Sequence, residues 1–183
     1  WPGYRQPKDQ DIADAKKLLA EAGFDKGFKT KILARAGYSD DMAVLMKEQI
    51  ARIGVDAELV VQESAVFLDT IYRLTFPMVT QPIGVRMSDP DEFTRYFRSG
   101  GGQSQTGLSD KDVDALFDAE GRAVDPAERK KLVRQLETKL LDLAASVPLY
   151  WSRGNIAYWP EVKNYYRGGV YNNNKYQDVW LAK

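Results

Sequence analysis

The chain has neither histidine nor cysteine. Without histidine the commonest general base near neutral pH is missing, and without either residue most transition-metal ligands are missing as well. Disulfide bridging is excluded, and the lack of cysteine fits either a reducing cytosol or an export route that avoids unwanted disulfides. An excess of charge of one sign is lacking too. The 26 Lys and Arg side chains balance the 26 Asp and Glu, leaving a formal net charge of zero, so no global field draws the chain to nucleic acid or to an anionic membrane. No run approaches the ~20 consecutive apolar residues that span a bilayer, and no charged, apolar, small-residue leader opens the chain. The first residue is Trp1 in place of an initiator Met, which points to a processed or excised piece of a longer protein.

What is present is enough hydrophobic content, 44% over 183 residues, for one compact domain with a proper core, or a domain plus an appendage. Ile12, Ala15, Leu18, Leu19 and Ala22 share one helical face, with Asp11 as a candidate cap and Gly23 as the stop. Residues 29–35 alternate as a strand, with Thr30, Ile32 and Ala34 on one face. After a turn at Gly37, Ser39 opens a helix whose Met42, Leu45, Met46, Gln49, Ile50 and Ile53 form the expected core stripe, closed by Gly54. A second strand from Val55 to Val61, a short helix through Phe67, Leu68 and Ile71, and a third strand from Met78 to Ile83 complete a β-α-β-α-β order. Such an order predicts parallel strands joined by helical crossovers.

Beyond Asp89 the pattern changes. Asp89-Pro90-Asp91 reads as a turn capping a helix over 92–98, and Gly100 to Gly102 as a flexible connection. Ser109 with Asp112 resembles a capping box, and Asp125-Pro126 opens a long helix with Leu132, Val133, Leu136, Leu140 and Leu143 on its apolar face. Lys130, Lys131, Arg134 and Lys139 are expected on its solvated side. From Val147 the chain turns aromatic and is expected to form strands and loops. No internal repeat or low-complexity linker is evident.

Catalytic patterns are sparse. No G-x-S-x-G or S-x-x-K occurs. The glycine run lacks the Lys-Ser/Thr of a phosphate loop, and Asp110, Asp112 and Asp114 suit the first turns of a helix better than an EF-hand.

Taken in order, several segments resemble the family 5 extracellular solute-binding proteins, whose members import oligopeptides, dipeptides, nickel chelates, opines and some sugars. Asp14 to Phe24 is similar to the family's "AKKLLAEAG-aromatic" helix, and Leu45 to Val55 to its "L-x-x-IGI/V" helix end. Asp89-Pro90-Asp91 with Phe93 resembles "DPD-x-F"; Thr106 to Leu116 resembles "SGYSNPEVDALL"; Asp125 to Arg129 resembles "D-x-A-E-R". Val147 to Tyr150 and Val162 to Tyr165 are similar to a closing "P-x-hydrophobic" strand and a "VKG-aromatic" turn.

The resemblance implies an α/β, type II periplasmic-binding-protein-like lobe, a mixed sheet flanked by helices. Residues 1–145 would form the C-terminal ligand-binding lobe, and residues 146–183 a strand and loop segment returning toward a missing N-terminal lobe. It implies no enzyme, cofactor or metal. The partners would be a small solute held in an interlobe cleft and the membrane permease of an ABC importer, in a periplasmic or extracytoplasmic setting.

Crevices lie at the carboxyl ends of strands, which selects Arg35 to Tyr38 and Gln81 to Ser88. Arg35 and Tyr38 lie near where dipeptide-binding relatives place an arginine for the ligand carboxylate. Peptide-binding relatives carry an aspartate for the ligand's α-amino group just before the D-P turn. Here Arg86 holds that register, beside Met87, and Ile83 stands where those relatives often have tryptophan. An arginine only donates, so the expected ligands are carboxylates, phosphates or sugar hydroxyls and not free-amine peptides. The other reading of Arg86 is an internal salt bridge to Asp89, Asp91 or Glu92. Trp151 and Arg153 are candidates for a stacking surface and a donor, with core packing the alternative for Trp151. Other classes in view are the ligand-binding lobe of a sensor or regulator, a fragment of a carboxylate-based glycosidase, and, more remotely, a nucleic-acid binder.

Overall fold

Side-chain alternation and helical periodicity in the first 83 residues produce the expected order of elements. These are α1 (Asp9–Glu21), β1 (Phe28–Arg35), α2 (Asp40–Ala51), β2 (Val55–Gln62), α3 (Ser64–Tyr72) and β3 (Met78–Thr80). The computed structural model describes residues 8–84, 89–150, 155–165 and 176–182. The chain divides into two compact units, Trp1–Ile83 and Gly84–Lys183.

In the first unit, β1 lies between β2 and β3 and pairs with both in parallel. Its register with β2 runs from Phe28↔Val55 to Arg35↔Gln62. Because successive side chains point to opposite faces, Ile32 and Ala34 meet Ala43, Met46 and Ile50 of α2 together with Ala57, Leu59 and Met78. Leu33 points the other way and packs with Phe67 and Ile71 of α3, Val60, Phe76 and Val79. Phe67, Ile32 and Ile71 are fully buried, and each such side chain contributes about 1.5–3 kcal/mol of apolar burial. Lys29 and Lys31 share the face of Leu33 but lie where the helix does not reach. There they meet their register partners Asp56 and Glu58 at 4.0 and 3.3 Å, in solvent. Gly27 and Gly54 both have positive φ, and a Cβ on Gly27 would collide with the Gly54 carbonyl. The turns leading into β1 and β2 therefore touch backbone to backbone.

Several expectations are corrected here. The buried face of α2 is centred on Ala43, while Leu45 is 52% exposed and Gln49 is exposed. The apolar residues of α2 cover more than one stripe, and sheet shape selects among them. The first helix begins at Asp9 after Lys8, without a side-chain cap, and none of its residues is fully buried. The third strand ends at Thr80, opposite Ala34 of β1 and short of Ile83.

The second unit holds α4 (Asp91–Thr94), α5 (Lys111–Arg122), α6 (Pro126–Asp142), β4 (Val162–Lys163) and β5 (Trp180–Leu181). Helices α5 and α6 pack through Val113, Phe117 and Leu136, flanked by Leu108, Leu116 and Leu140. Asp125 caps α6 as expected, accepting from the N–H of Ala127 and Glu128 at 2.7 and 2.9 Å, with Pro126 in the first turn. The cap of α5 is Asp110, not Ser109: its Oδ1 accepts from Asp112 and Val113 at 2.9 and 3.0 Å. Helix α4 is one turn long and stops well short of Arg98. Lys139 is half-buried and bridges Asp110 and Asp112 at 3.6 and 3.1 Å, so it is not simply solvated. Residues 147–150 are exposed and lack strand geometry, since a strand needs a partner and no described residue pairs with them. Strands β4 and β5 pair antiparallel.

Candidate functional site

In the first unit the carboxyl ends of the three parallel strands gather a small set of polar side chains. Arg35 is the last residue of β1, Ser64 the first of α3 immediately beyond β2, and Thr80 the last of β3. The turn after β1 is closely hydrogen-bonded. Tyr38 and Ser39 donate their N–H groups to the Arg35 carbonyl at 3.0 and 3.1 Å, and Ala36 donates to the Gln62 carbonyl at 3.0 Å. The Ser39 hydroxyl accepts from the Arg35 N–H at 2.9 Å, and the buried Thr80 hydroxyl donates to the Ser39 carbonyl at 3.2 Å. Gly37, at φ 69°, donates its N–H to Asp40 Oδ2 at 3.1 Å. That bond holds the Asp40 carboxyl below its usual pKa.

On this platform the Arg35 guanidinium donates through Nε to the Ser64 hydroxyl at 3.0 Å. Its Cζ lies 3.9 Å from the centroid of the Tyr38 ring, well within cation–π range. Among the described residues Arg35 forms no ion pair. The guanidinium is half-exposed, with an aromatic support, an engaged Nε and no carboxylate partner among the described residues; a group so held can take an acceptor through Nη1 and Nη2. Arg35 and Tyr38 lie at the carboxyl end of β1 and in the turn after it, and their side chains touch. Ile83 is half-buried in coil, three residues beyond the end of β3. Arg86, Met87, Trp151 and Arg153 lie outside the described residues. Sequence reasoning missed Ser64, whose only signal was a serine at a helix start, where capping is the ordinary use.

A second polar cluster lies in the second unit. Arg129 clasps Asp89 with both Nη atoms at 2.9 and 2.7 Å and gives Nε to Glu120 Oε2 at 2.9 Å. Asp89 also accepts from the Asp91 N–H at 3.0 Å, the expected capping role. The Arg129 bonds hold the Asp89 carboxyl down at about 2. Glu120 moves the other way: burial, then the neighbouring Asp91 carboxyl, push it up against the pull of Arg129. Its Oε1 is buried without a hydrogen-bond donor. Asp89 has both oxygens committed to Arg129, so this cluster joins the D-P-D turn to α5 and α6. The shallow groove beside it carries Arg95, Arg98 and Arg122, which are paired with Glu92 or Asp118.

The helix-flanked parallel sheet with its polar carboxyl edge is a lobe of the periplasmic-binding-protein kind. Residues 1–105 match the bacterial extracellular solute-binding proteins, family 5 Middle, and the chain belongs to that family. It is 26% identical to the periplasmic oligopeptide-binding protein OppA of Escherichia coli, over 100% of this chain and 34% of that protein. It is 24% identical to the dipeptide-binding protein DppE of Bacillus subtilis, over 82% of this chain and 31% of that protein. The solved structure of Helicobacter pylori DppA, an ABC transporter-associated periplasmic binding protein in complex with peptide STSA, superposes with a TM-score of 0.81. The identity there is 25%, covering 100% of this chain and 37% of that one. The chain therefore spans about a third of the length of the relatives it matches.

Proposed function

We propose that the chain is the C-terminal ligand-binding portion of a protein that captures a small solute for an ABC importer outside the cytoplasm. In this reading residues 1–145 are the lobe, and residues 146–183 return toward an N-terminal lobe that lies outside this sequence. The solute sits between the two lobes, and the loaded protein delivers it to the permease. Membership of a solute-binding family and likeness to peptide-binding relatives support the capture role.

The observation that carries the site is Arg35: a guanidinium at the carboxyl edge of a parallel sheet, stacked on Tyr38 and without an ion pair among the described residues. Such a group suits a carboxylate on a peptide-like, opine-like or acidic sugar ligand. Ile83 follows β3 at the carboxyl end of the same sheet, and the family resemblance makes Arg86, Met87, Trp151 and Arg153 the further candidates for ligand contact. Arg86, in the register where relatives place an aspartate, turns preference away from free α-amino groups.

The test is a thermal-shift screen of the intact parent protein against peptides, opine-like conjugates, oligosaccharides and aromatic acids, with Arg35→Ala and Arg86→Ala alongside. Binding raises the melting temperature by mass action. The expected result is stabilisation by an anionic ligand that both variants lose. Equal stabilisation of all three proteins by ordinary free-amine dipeptides would remove both arginines from the site.

A further inference from the structure

We infer that Ser64 and Tyr38 are positioning residues that hold the Arg35 guanidinium in one orientation and thereby set the carboxylate selectivity of the cleft. The inference rests on the reading of Arg35 as the anion contact and goes beyond it, because it assigns the selectivity to two side chains that touch the arginine.

An arginine side chain has many rotamers, and one left free in water must be ordered when the ligand arrives. Here the ordering is built in. Arg35 shares the pleat side of Leu33, which packs on Phe67 and Ile71 of α3, so its side chain leaves the sheet toward that helix. The β1–β2 register pairs Arg35 with Gln62, which brings Ser64, two residues further on, beside it. Ser64 is the first residue of α3, after the N-cap residue Glu63, and its hydroxyl accepts from Arg35 Nε at 3.0 Å. Tyr38 is 63% exposed, and its ring lies against the guanidinium at 3.9 Å and not in a core.

The two contacts act on different freedoms. The Ser64 bond fixes rotation of the guanidinium in its own plane, and the Tyr38 ring fixes the tilt of that plane. With Nε engaged, the side-on approach that pairs Nε and one Nη with a carboxylate is closed. The end-on fork of Nη1 and Nη2 remains, and it matches two oxygens of one carboxylate but only one oxygen of an amide.

The test uses the intact parent protein and two probes, the acetylated tetrapeptide Ser-Thr-Ser-Ala as its free acid and as its C-terminal amide, with affinities from calorimetry. The wild type should prefer the acid by at least about tenfold, the scale of one charge-assisted contact. Ser64→Ala and Tyr38→Ala should each weaken acid binding about tenfold and leave the amide unchanged, with melting temperatures preserved. Ser64→Thr and Tyr38→Phe, which keep the hydroxyl and the ring, should restore the preference. If Arg35→Ala abolishes the preference while Ser64→Ala and Tyr38→Ala keep it, the positioning role is overturned and the anion contact stands. If Arg35→Ala itself keeps the preference, the anion contact falls; if neither probe binds the wild type, the positioning role is decided by hydrogen exchange. Hydrogen exchange at Arg35 Nε needs no ligand: it should speed up in Ser64→Ala, and an unchanged rate would overturn the positioning role by itself.

Discussion

Arg129 satisfies three carboxylate oxygens with one side chain, two on Asp89 and one on Glu120. Its loss would leave the fully buried Glu120 without its cation, which is the costly way to break an ion pair. Arg129→Met should therefore lower the urea midpoint of the chain, and Arg129→Lys should lower it less, because a lysine keeps the charge but not the fork. The two acids also predict opposite pH limbs. Asp89 is held at about 2 from a usual 3.8, so its stabilisation is complete above 3.8 and lost as pH falls toward 2. Glu120 is raised above 4.5 by burial and by Asp91, so the folded chain keeps a proton that the unfolded chain releases. Stability then falls as pH climbs from 4.5 through the raised value. Urea midpoints across this range should show both slopes, and Glu120→Gln should flatten the upper one while leaving the acid limb in place. Asn164 adapts in another way. It adopts a left-handed φ of 58° at the place of the glycine in the "VKG-aromatic" turn, and asparagine is among the few residues that accept that conformation readily.

At the scale of elements, helix starts decide more than helix faces do. Asp125→Ala removes two bonds to the first turn of α6 and should cost about 1 kcal/mol in urea unfolding. Ser109→Ala should leave the α5 helix intact while Asp110→Ala loses its cap, since Asp110 makes both bonds; circular dichroism melts of the two variants would separate them. Core faces follow the sheet. Phe67 is 1% exposed against Leu33 and Ile71, and Phe67→Ala should cost about 3–5 kcal/mol. Val44→Ala and Leu45→Ala, on the open side of α2, should each change stability by less than about 0.5 kcal/mol.

For the molecule as a whole, the solute-binding reading predicts that this chain alone binds solute far more weakly than the intact protein, because a cleft closed from one side leaves the ligand largely hydrated. Calorimetry on both, with the same ligand, would show it. Equal affinity would place the whole site on this chain. The succession of elements in the first unit was legible in the sequence, because strand alternation and helical periodicity are local, and Gly23, Gly37 and Gly54 mark several of the breaks. The place of Arg35 and Tyr38 was legible too, since the end of a parallel strand follows from the order of elements. Family membership could likewise be read, from short segments in a fixed order. The sequence left undecided which stripe of α2 is buried, that the strand at Met78 ends at Thr80, that Ser64 meets Arg35 across 29 residues, and that Asp89 meets Arg129 across 40. Those contacts join residues far apart in the chain. Strand register and helix packing select them, and no local pattern of residue types encodes a pairing between two distant polar side chains when many combinations are chemically equivalent.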